Sequence, residues 1–194
     1  QRWVLLGKIT ACAGRVTGME QQDILSMTLP ELQAAVQELG EPKFRAKQIF
    51  NWLHQKRVTD FSEMTTLSLP FRERLASDFC INRLKIAKRL ASSVDDTVKY
   101  LYELPDGNFV ETVLMDYHHG KSLCISTQVG CRMGCRFCAS AIAGFVRNLT
   151  PAEMLLQIYE TERAQNCKIS SLVLMGIGEP LDNFDNVLRF LQLL

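Results

Sequence analysis

Hydrophobic residues recur at helical spacing in three segments between residues 28 and 80. The first segment follows a capping box formed by Thr28 and Glu31 and ends at Gly40. The third begins after Pro70. The hydrophobic positions are Leu29, Leu32, Val36 and Leu39, then Phe44, Ile49, Trp52 and Leu53, and finally the stretch from Phe71 to Phe79. Residues 27 to 80 are therefore predicted to form a small helical domain.

The hydrophobic period becomes alternating between residues 98 and 115. The turn sequence Pro105-Asp106-Gly107 separates two alternating runs, which predicts a β-hairpin. The alternating positions are Val98, Tyr100, Tyr102 and Leu104 in the first run, and Phe109, Glu111, Val113 and Met115 in the second. Glu111 therefore either enters an apolar layer, where an unpaired carboxylate is costly, or shares a face that is open to water.

From Ser122 onward the pattern indicates an α/β unit. A strand through Gln128, a helix from Thr150 and a strand over Ile169 to Met175 are followed by a last helix. That helix is predicted to pack through one stripe, made of Phe184, Val187, Leu188, Leu191 and Leu194. Parallel strands and a right-handed crossover follow from the β-α-β order. One such unit cannot close a barrel, so we expect a fragment of a longer protein.

Composition and charge narrow the class of protein. The 194 residues are 47% hydrophobic and 22% charged, as in globular proteins, and no apolar run is long enough for a membrane span. Residues 1 to 26 are expected to be an ill-defined extension, or an organelle transit segment because Arg2, Lys8 and Arg15 occur there without an acid before Glu20. Residues 41 to 89 hold 11 Lys or Arg against 5 Asp or Glu, which fits either a polyanion partner or a solvated helical surface.

Three cysteines lie within eight residues. Cys131, Cys135 and Cys138 form a C-x3-C-x2-C pattern in which Phe137 precedes the last cysteine. Three thiolates on a cubane leave one iron open to coordinate a small molecule. A structural zinc site is the alternative, but such sites usually need a second pair of ligands, and no matching pair follows.

A glycine-rich segment follows the second strand of the α/β unit. Its sequence is Met175-Gly-Ile-Gly-Glu-Pro180. Glycines permit close approach of a backbone, and a carboxylate pairs with an ammonium group. The segment lies at the carboxyl end of its strand, as the cysteine loop does, which is where α/β barrels place their chemistry.

These motifs together resemble the radical S-adenosylmethionine (SAM) superfamily. The longer strings Leu123-Cys-Ile-Ser-Thr-Gln-Val-Gly-Cys131 and Gly144-Phe-Val-Arg-Asn-Leu-Thr150 resemble, more narrowly, the dual-specificity methyltransferases of adenine carbon 2 in 23S rRNA and tRNA. The likeness runs from about residue 27 to 194. It implies an α+β and α/β chain with a helical accessory domain (27–80) that contacts RNA, a hairpin with linker strands (81–121) and the first βαβ part of a truncated radical SAM (β/α) barrel (122–194).

The resemblance also implies roles for individual residues. Cys131, Cys135 and Cys138 would bind a [4Fe-4S] cluster, and Gly178 and Glu179 would contact SAM. Glu111 would accept a proton from the adenine ring, and Cys124 would resolve a methylcysteine intermediate. The methyl-carrying cysteine of the family has no counterpart in this sequence, so the 194 residues alone are expected to be inactive.

The expected partners are rRNA, tRNA and a flavodoxin-like electron donor, and we expect a cytoplasmic monomer that does not bind membranes. The basic residues expected to contact phosphates are Lys43, Arg45, Lys47, Lys56 and Arg57. Three alternatives remain: a radical SAM enzyme of another branch, such as one that methylates adenine carbon 8, a truncated noncatalytic RNA-binding protein, and a zinc-stabilised binding module.

Overall fold

The computed structural model describes residues 21–142 and 144–194, so the predicted extension over residues 1–26 falls largely outside the described residues. The helices are α1 (Leu29–Glu38), α2 (Phe44–His54), α3 (Leu69–Asp78), α4 (Pro151–Gln165) and α5 (Phe184–Leu193). The strands are β1 (Gln22–Asp23), β2 (Phe79–Cys80), β3 (Lys85–Ala91), β4 (Val98–Glu103), β5 (Phe109–Tyr117), β6 (Gly120–Cys124), β7 (Gln128–Gly130), β8 (Phe145–Asn148) and β9 (Ser171–Val173). No helix within these ranges has the length and apolarity needed to cross a bilayer.

Helices α1 to α3 form where the hydrophobic spacing predicts them. Thr28 and Glu31 make the predicted capping box at the start of α1, and Gly40 follows α1 with a positive φ of 77°. The buried residues of the three helices include Leu32, Val36, Ile49, Leu53 and Leu75. These side chains belong to the same hydrophobic core as the central sheet.

The central sheet has five strands in the order β3-β4-β5-β6-β9. The predicted hairpin is β4 and β5, and β6 pairs in parallel with β9 across the α4 crossover, as the β-α-β order predicts. Helix α4 covers one face of this sheet. Its Thr161 contacts the Tyr102 hydroxyl at 2.8 Å, and its Gln157 accepts a 2.8 Å hydrogen bond from the Thr112 hydroxyl.

The strand predicted to run from Ser122 through Gln128 is interrupted after Cys124. The amide of Ser126 donates to the side chain of buried Gln157 in α4, and the amides of Thr127 and Gln128 both donate to the carbonyl of Ile177. These bonds replace a regular ladder. The chain then resumes as β7, which pairs with β8 in a separate two-stranded ribbon.

The stripe predicted for the last helix is wrong apart from Val187. Helix α5 buries Val187, Phe190 and Leu193, and the rest of the predicted stripe is exposed. The apolar arc of this helix is wider than one contact surface, so the sequence period alone does not select the part of it that packs. Contact with α4 and with the segment near residue 25 decides it.

Candidate active site

The loop after β9 is fixed against the segment that joins β6 to β7. The Ile177 carbonyl accepts hydrogen bonds of 2.9 Å from Thr127 and 3.1 Å from Gln128, both from main-chain amides. In the other direction, the Glu179 amide donates to Oε1 of Gln128 at 2.9 Å. We call residues 176–179 the glycine loop. Its backbone is therefore held at several points rather than being a simple turn.

Two glycines allow this close approach. A Cβ atom at Gly178 would lie 2.6 Å from Cβ and 2.7 Å from the amide nitrogen of Gln128, and Gly178 has φ +109°. A Cβ at Gly176 would lie 2.7 Å from the carbonyl oxygen of Ile125. No real side chain fits at such distances, so the loop conformation depends on glycine at both positions.

Buried polar side chains complete the attachment, and the sequence analysis missed them. Gln128 donates from Nε2 to Asn148 at 2.8 Å and to Asp182 at 2.7 Å. Asn183 donates from Nδ2 to the carbonyls of Thr127 at 2.8 Å and Leu149 at 2.9 Å. The only sequence signal was that Gln128 and Asn183 lie beside the recognisable motifs, because an amide carries no pattern that reveals its partners.

Glu179 ends the glycine loop and caps the turn that follows it. Its carboxylate accepts a 3.1 Å hydrogen bond from the amide of Leu181, at the start of a 3-10 turn over Pro180–Asn183. This bond uses one carboxylate oxygen, Oε1. The side chain is half-buried, so a positively charged group could still reach it.

The cysteine loop leaves β7 and returns as β8. The Cys131 amide donates to the Gly144 carbonyl, and the Cys138 amide donates to the Cys135 carbonyl, both at 3.0 Å. Between them the chain is largely exposed to solvent. Because β7 also carries the bonds to Ile177, the base of the cysteine loop and the glycine loop lie side by side.

Arg132 also links the cysteine loop to the segment after the glycine loop. Its guanidinium pairs with Asp182 at 2.8 Å and stacks over the ring of Phe145 at 4.0 Å. Asp182 belongs to the turn after the glycine loop, so the ion pair connects the two motif loops. The arginine is therefore engaged with a protein carboxylate.

The donors of the cysteine loop suit an iron-sulfur cluster in chemistry. Three thiols lie on one exposed loop, where deprotonated sulfur can bind metal. Among the described residues, however, no group of three or more His, Cys, Asp and Glu side chains has the geometry to hold a metal ion. The structure thus gathers the three cysteines on one loop without arranging their sulfur atoms as ligands.

Glu111 and Cys124 lie on the face of the sheet opposite to α4, which we call the open face. The register aligns Val113 with Cys124 and Leu101 with Glu111, so both candidate residues point to the same side on neighbouring strands. The buried residues of β5 are Val110, Thr112 and Leu114 on the other side. Glu111 therefore does not enter an apolar layer, and the alternative of a face open to water is correct.

The immediate surroundings of the two residues differ. The Glu111 side chain is 40% exposed, and its carboxylate pairs with Nζ of Lys99 at 2.7 Å. Burial raises the pKa of the Cys124 thiol, although a hydrogen bond with the Met175 backbone opposes this effect. Cys124 is consequently a neutral thiol at neutral pH in this structure.

The basic residues predicted to contact phosphates differ in the contacts that their side chains make. Arg57 forms an ion pair with Glu162 and stacks over Tyr159 at 4.5 Å, so it is engaged inside the protein. Arg45 reaches the side chain of Gln48 at 2.9 Å. Lys56 lies over the ring of Trp52 at 3.4 Å. Among the described residues no ion pair involves Lys43, Lys47 or Lys56.

The family model and the solved structure that resemble this chain both belong to methyltransferases. Residues 22–81 match the family model described as the ribosomal RNA large subunit methyltransferase N-terminal domain. The crystal structure of a radical SAM methyltransferase from Sphaerobacter thermophilus superposes with a TM-score of 0.80 and 34% identity, over 89% of this chain and 51% of that one. The fold is that of a radical SAM methyltransferase.

Proteins with similar sequences indicate a particular family within the radical SAM methyltransferases. The probable dual-specificity RNA methyltransferase RlmN of Lachnoclostridium phytofermentans is 53% identical over 178 residues, which are 90% of this chain and 49% of the relative. The protein of the same name from Alkaliphilus oremlandii is 51% identical over 91% of this chain and 51% of its own length. Over about 90% of its length the chain is similar to proteins named RlmN, and it spans about half the length of these curated relatives.

Proposed function

We propose that the protein from which this chain comes methylates carbon 2 of adenine in 23S rRNA and tRNA, and that the chain supplies the accessory domain and the first part of the catalytic barrel. The observation that carries the proposal is the attachment of the glycine loop to the base of the cysteine loop through Gln128 and Ile177. A small molecule bound to one loop would lie beside the other.

The division into domains follows from the same proposal. Residues 27–80 are the accessory domain, residues 81–121 the linking strands and residues 122–194 the opening βαβ of a (β/α) barrel. In support, β6 and β9 are parallel with α4 between them. The glycine loop follows the carboxyl end of β9, and the cysteine loop follows β7, the strand that comes after β6 in the chain.

The residues of the chain have distinct roles in this proposal. Cys131, Cys135 and Cys138 would hold a [4Fe-4S] cluster, and Gly178 and Glu179 would receive the amino group of SAM. When bound, the cluster and SAM supply the radical chemistry that an inert aromatic carbon requires.

On the open face, Glu111 would take the proton that leaves the adenine ring, and its carboxylate lies 2.7 Å from Nζ of Lys99. Cys124 would lose its proton and attack the sulfur that links the methylcysteine to the RNA. A disulfide would form as the sulfur–carbon bond breaks, and the electron pair would stay with the carbon attached to adenine, which then takes up a proton. The substrates are rRNA and tRNA, the reductant is a flavodoxin-like protein, and the protein acts as a cytoplasmic monomer.

The test is anaerobic reconstitution with iron and sulfide, followed by electron paramagnetic resonance of the dithionite-reduced protein with and without SAM. We expect a cubane signal that shifts when SAM is added. Cys131→Ala should abolish the signal, while Cys167→Ala, a cysteine outside the motif, should retain it. Bound zinc without a cubane signal would refute the proposal.

A second pair of variants tests the SAM contact separately. Glu179→Gln should keep the cubane signal and weaken its response to SAM, because the carboxylate that pairs with the amino group is lost. Asp185→Asn removes an exposed acid six residues further along and should respond as the parent does.

A further inference from the structure

Strand β3 carries three cations without acidic partners. Lys85, Lys88 and Arg89 belong to a strand whose seven residues are all exposed. Within the described part of the chain, no ion pair engages any of the three. Among the strands of residues 21–142 and 144–194 it pairs only with β4, so its other edge is open to them. By contrast, Arg57, Arg147 and other cations of the protein are held by carboxylates.

An irregularity in β3 directs two of these cations to one face. The register with β4 shifts by one residue between Ile86 and Lys88. Residues three apart in a regular strand point to opposite faces, but the extra residue brings Lys85 and Lys88 to the same side. Lys85 lies across from Glu103, yet the two side chains form no ion pair in the described structure.

That side is the open face. Lys88 is paired with Leu101, and Leu101 is paired with Glu111, so the three residues form one row across β3, β4 and β5. Two strand spacings separate Lys88 from Glu111, which is roughly 10 Å between backbones. One nucleotide can span that distance between its phosphate and its base.

We propose that Lys85 and Lys88 bind phosphates of the RNA backbone and guide the nucleotide towards Glu111. This inference rests on the proposed function for the choice of RNA as the partner. Phosphate contacts position a nucleic acid without reading its sequence, which suits a contact one nucleotide away from the reacting base. We call these two lysines the β3 cationic strip; Arg89 is paired with Tyr100 and points to the other side of the sheet.

Lysines on an edge strand also prevent aggregation between sheets, and the experiment must separate the two roles. The probe is a fluorescein-labelled, adenine-rich 12-nucleotide single-stranded RNA, and anisotropy gives its affinity for the 194-residue chain at several KCl concentrations. The variants are Lys85→Gln with Lys88→Gln in one protein, and Arg74→Gln with Lys168→Gln in a control that loses the same charge. Arg74 and Lys168 are exposed and lie outside β3, and Lys168 is 3.8 Å from the Glu162 carboxylate.

The slope of log K against log salt counts the phosphates that the protein neutralises. Losing two contacts to a single strand should make the slope shallower by about 1.4, since each contributes about 0.7. The control should keep the slope of the parent. Lys85→Arg with Lys88→Arg should also keep it, because charge rather than shape makes these contacts.

Each negative result of the RNA-binding experiment has a different consequence for the two proposals. An unchanged slope in the Lys85→Gln and Lys88→Gln protein, with RNA still bound, would overturn the strip and leave the proposed function standing. If the salt slope became shallower in a Lys43→Gln and Lys47→Gln protein but not in the Lys85→Gln and Lys88→Gln protein, the phosphate contacts would belong to the helical domain and the strip would be overturned. Absence of RNA binding by the parent chain would overturn the strip, while the cubane signal would still test the methyltransferase proposal independently.

Discussion

The hydroxyl of Ser126 donates a 2.6 Å hydrogen bond to the main-chain carbonyl of Glu111. The same oxygen accepts a 3.0 Å hydrogen bond from the amide of Ile177 in the glycine loop. Ser126 is fully buried. A single hydroxyl therefore connects the strand of the candidate proton acceptor to the loop of the candidate SAM site, and the relative position of the two depends on it.

Substitution of Ser126 by Ala should destabilise the protein. Both the Glu111 carbonyl and the Ile177 amide would lose a partner in a buried site, which costs about 2 kcal/mol of the free energy of unfolding. Urea denaturation measures this difference. The control is Thr127→Val, because the buried hydroxyl of Thr127 has no hydrogen-bond partner among the described residues. Equal losses in the two variants would show that the Ser126 bonds do not contribute.

Substitution of Gly178 by Ala should cost more than the same change at Gly107. Both glycines have positive φ, +109° and +81°, so both variants incur backbone strain of about 1 kcal/mol. Only at Gly178 does the new methyl group meet Gln128, and this overpacking adds about 1–3 kcal/mol. Thermal or urea unfolding of the two variants gives the comparison. A loss at Gly107 as large as that at Gly178 would contradict the close approach of Gly178 to Gln128.

His54 should make the protein lose stability on acidification. Burial lowers the pKa of His54 to about 4, from an ordinary value of 6.5. Between those values the unfolded state binds a proton on this ring and the folded state does not, so the free energy of unfolding falls as the pH falls from 6.5 to 4. The expected contribution is about 3 kcal/mol.

Asp23 acts in the opposite direction over part of this range. Burial raises the pKa of its carboxyl to about 6, so the folded state binds a proton there before the unfolded state does. The His54 effect is therefore measured as a difference, with urea unfolding at pH 7 and pH 4 of the parent and of His54→Gln. The parent should lose about 3 kcal/mol more than the variant, and exposed His118→Gln should behave as the parent. Equal pH dependence in all three would exclude His54 as the cause.

Removing the positive charge of Arg147, behind the cysteine loop, should lower the free energy of unfolding. It lies in β8 and pairs with Asp106 at 2.7 Å and with Glu153 through two bonds of 2.8 Å. Arg147→Met would leave the buried Glu153 carboxylate without a cationic partner and with only the hydrogen bond from the Thr150 amide, at a cost of about 3 kcal/mol. Arg74→Met, at an exposed position, should change the free energy of unfolding by less than about 0.5 kcal/mol. Urea denaturation of both proteins decides between them.

Local sequence patterns predicted the elements that depend on local interactions. The capping boxes at Thr28 and Thr150 and the turn at Pro105 lie where the sequence places them, because a cap or turn is satisfied by residues a few positions away. The parallel pairing of β6 with β9 also follows from the order of elements. The motifs indicated the family whose members the chain resembles over about 90% of its length.

Patterns failed where an element could pack in more than one way. In β5 the alternation of Phe109, Glu111 and Val113 identified one face, but which face is buried was decided by α4, which covers Val110 and Thr112 instead. The apolar arc of helix α5 is wider than the surface that its neighbours cover, so those neighbours set its contact stripe. Periodicity defines the faces of an element and does not assign the partner that covers each one.

The sequence by itself determined the chemistry that the chain carries: three cysteines at the spacing of a cluster site, a glycine loop and an acid after it, all identifiable because they lie within short segments. Only the tertiary structure decided how these parts meet. The links from Ser126 to Glu111, Gln128 to Glu179 and Arg132 to Asp182 join residues 15 to 51 positions apart. Such contacts leave no periodic signal, because they depend on how strands and loops pack in three dimensions.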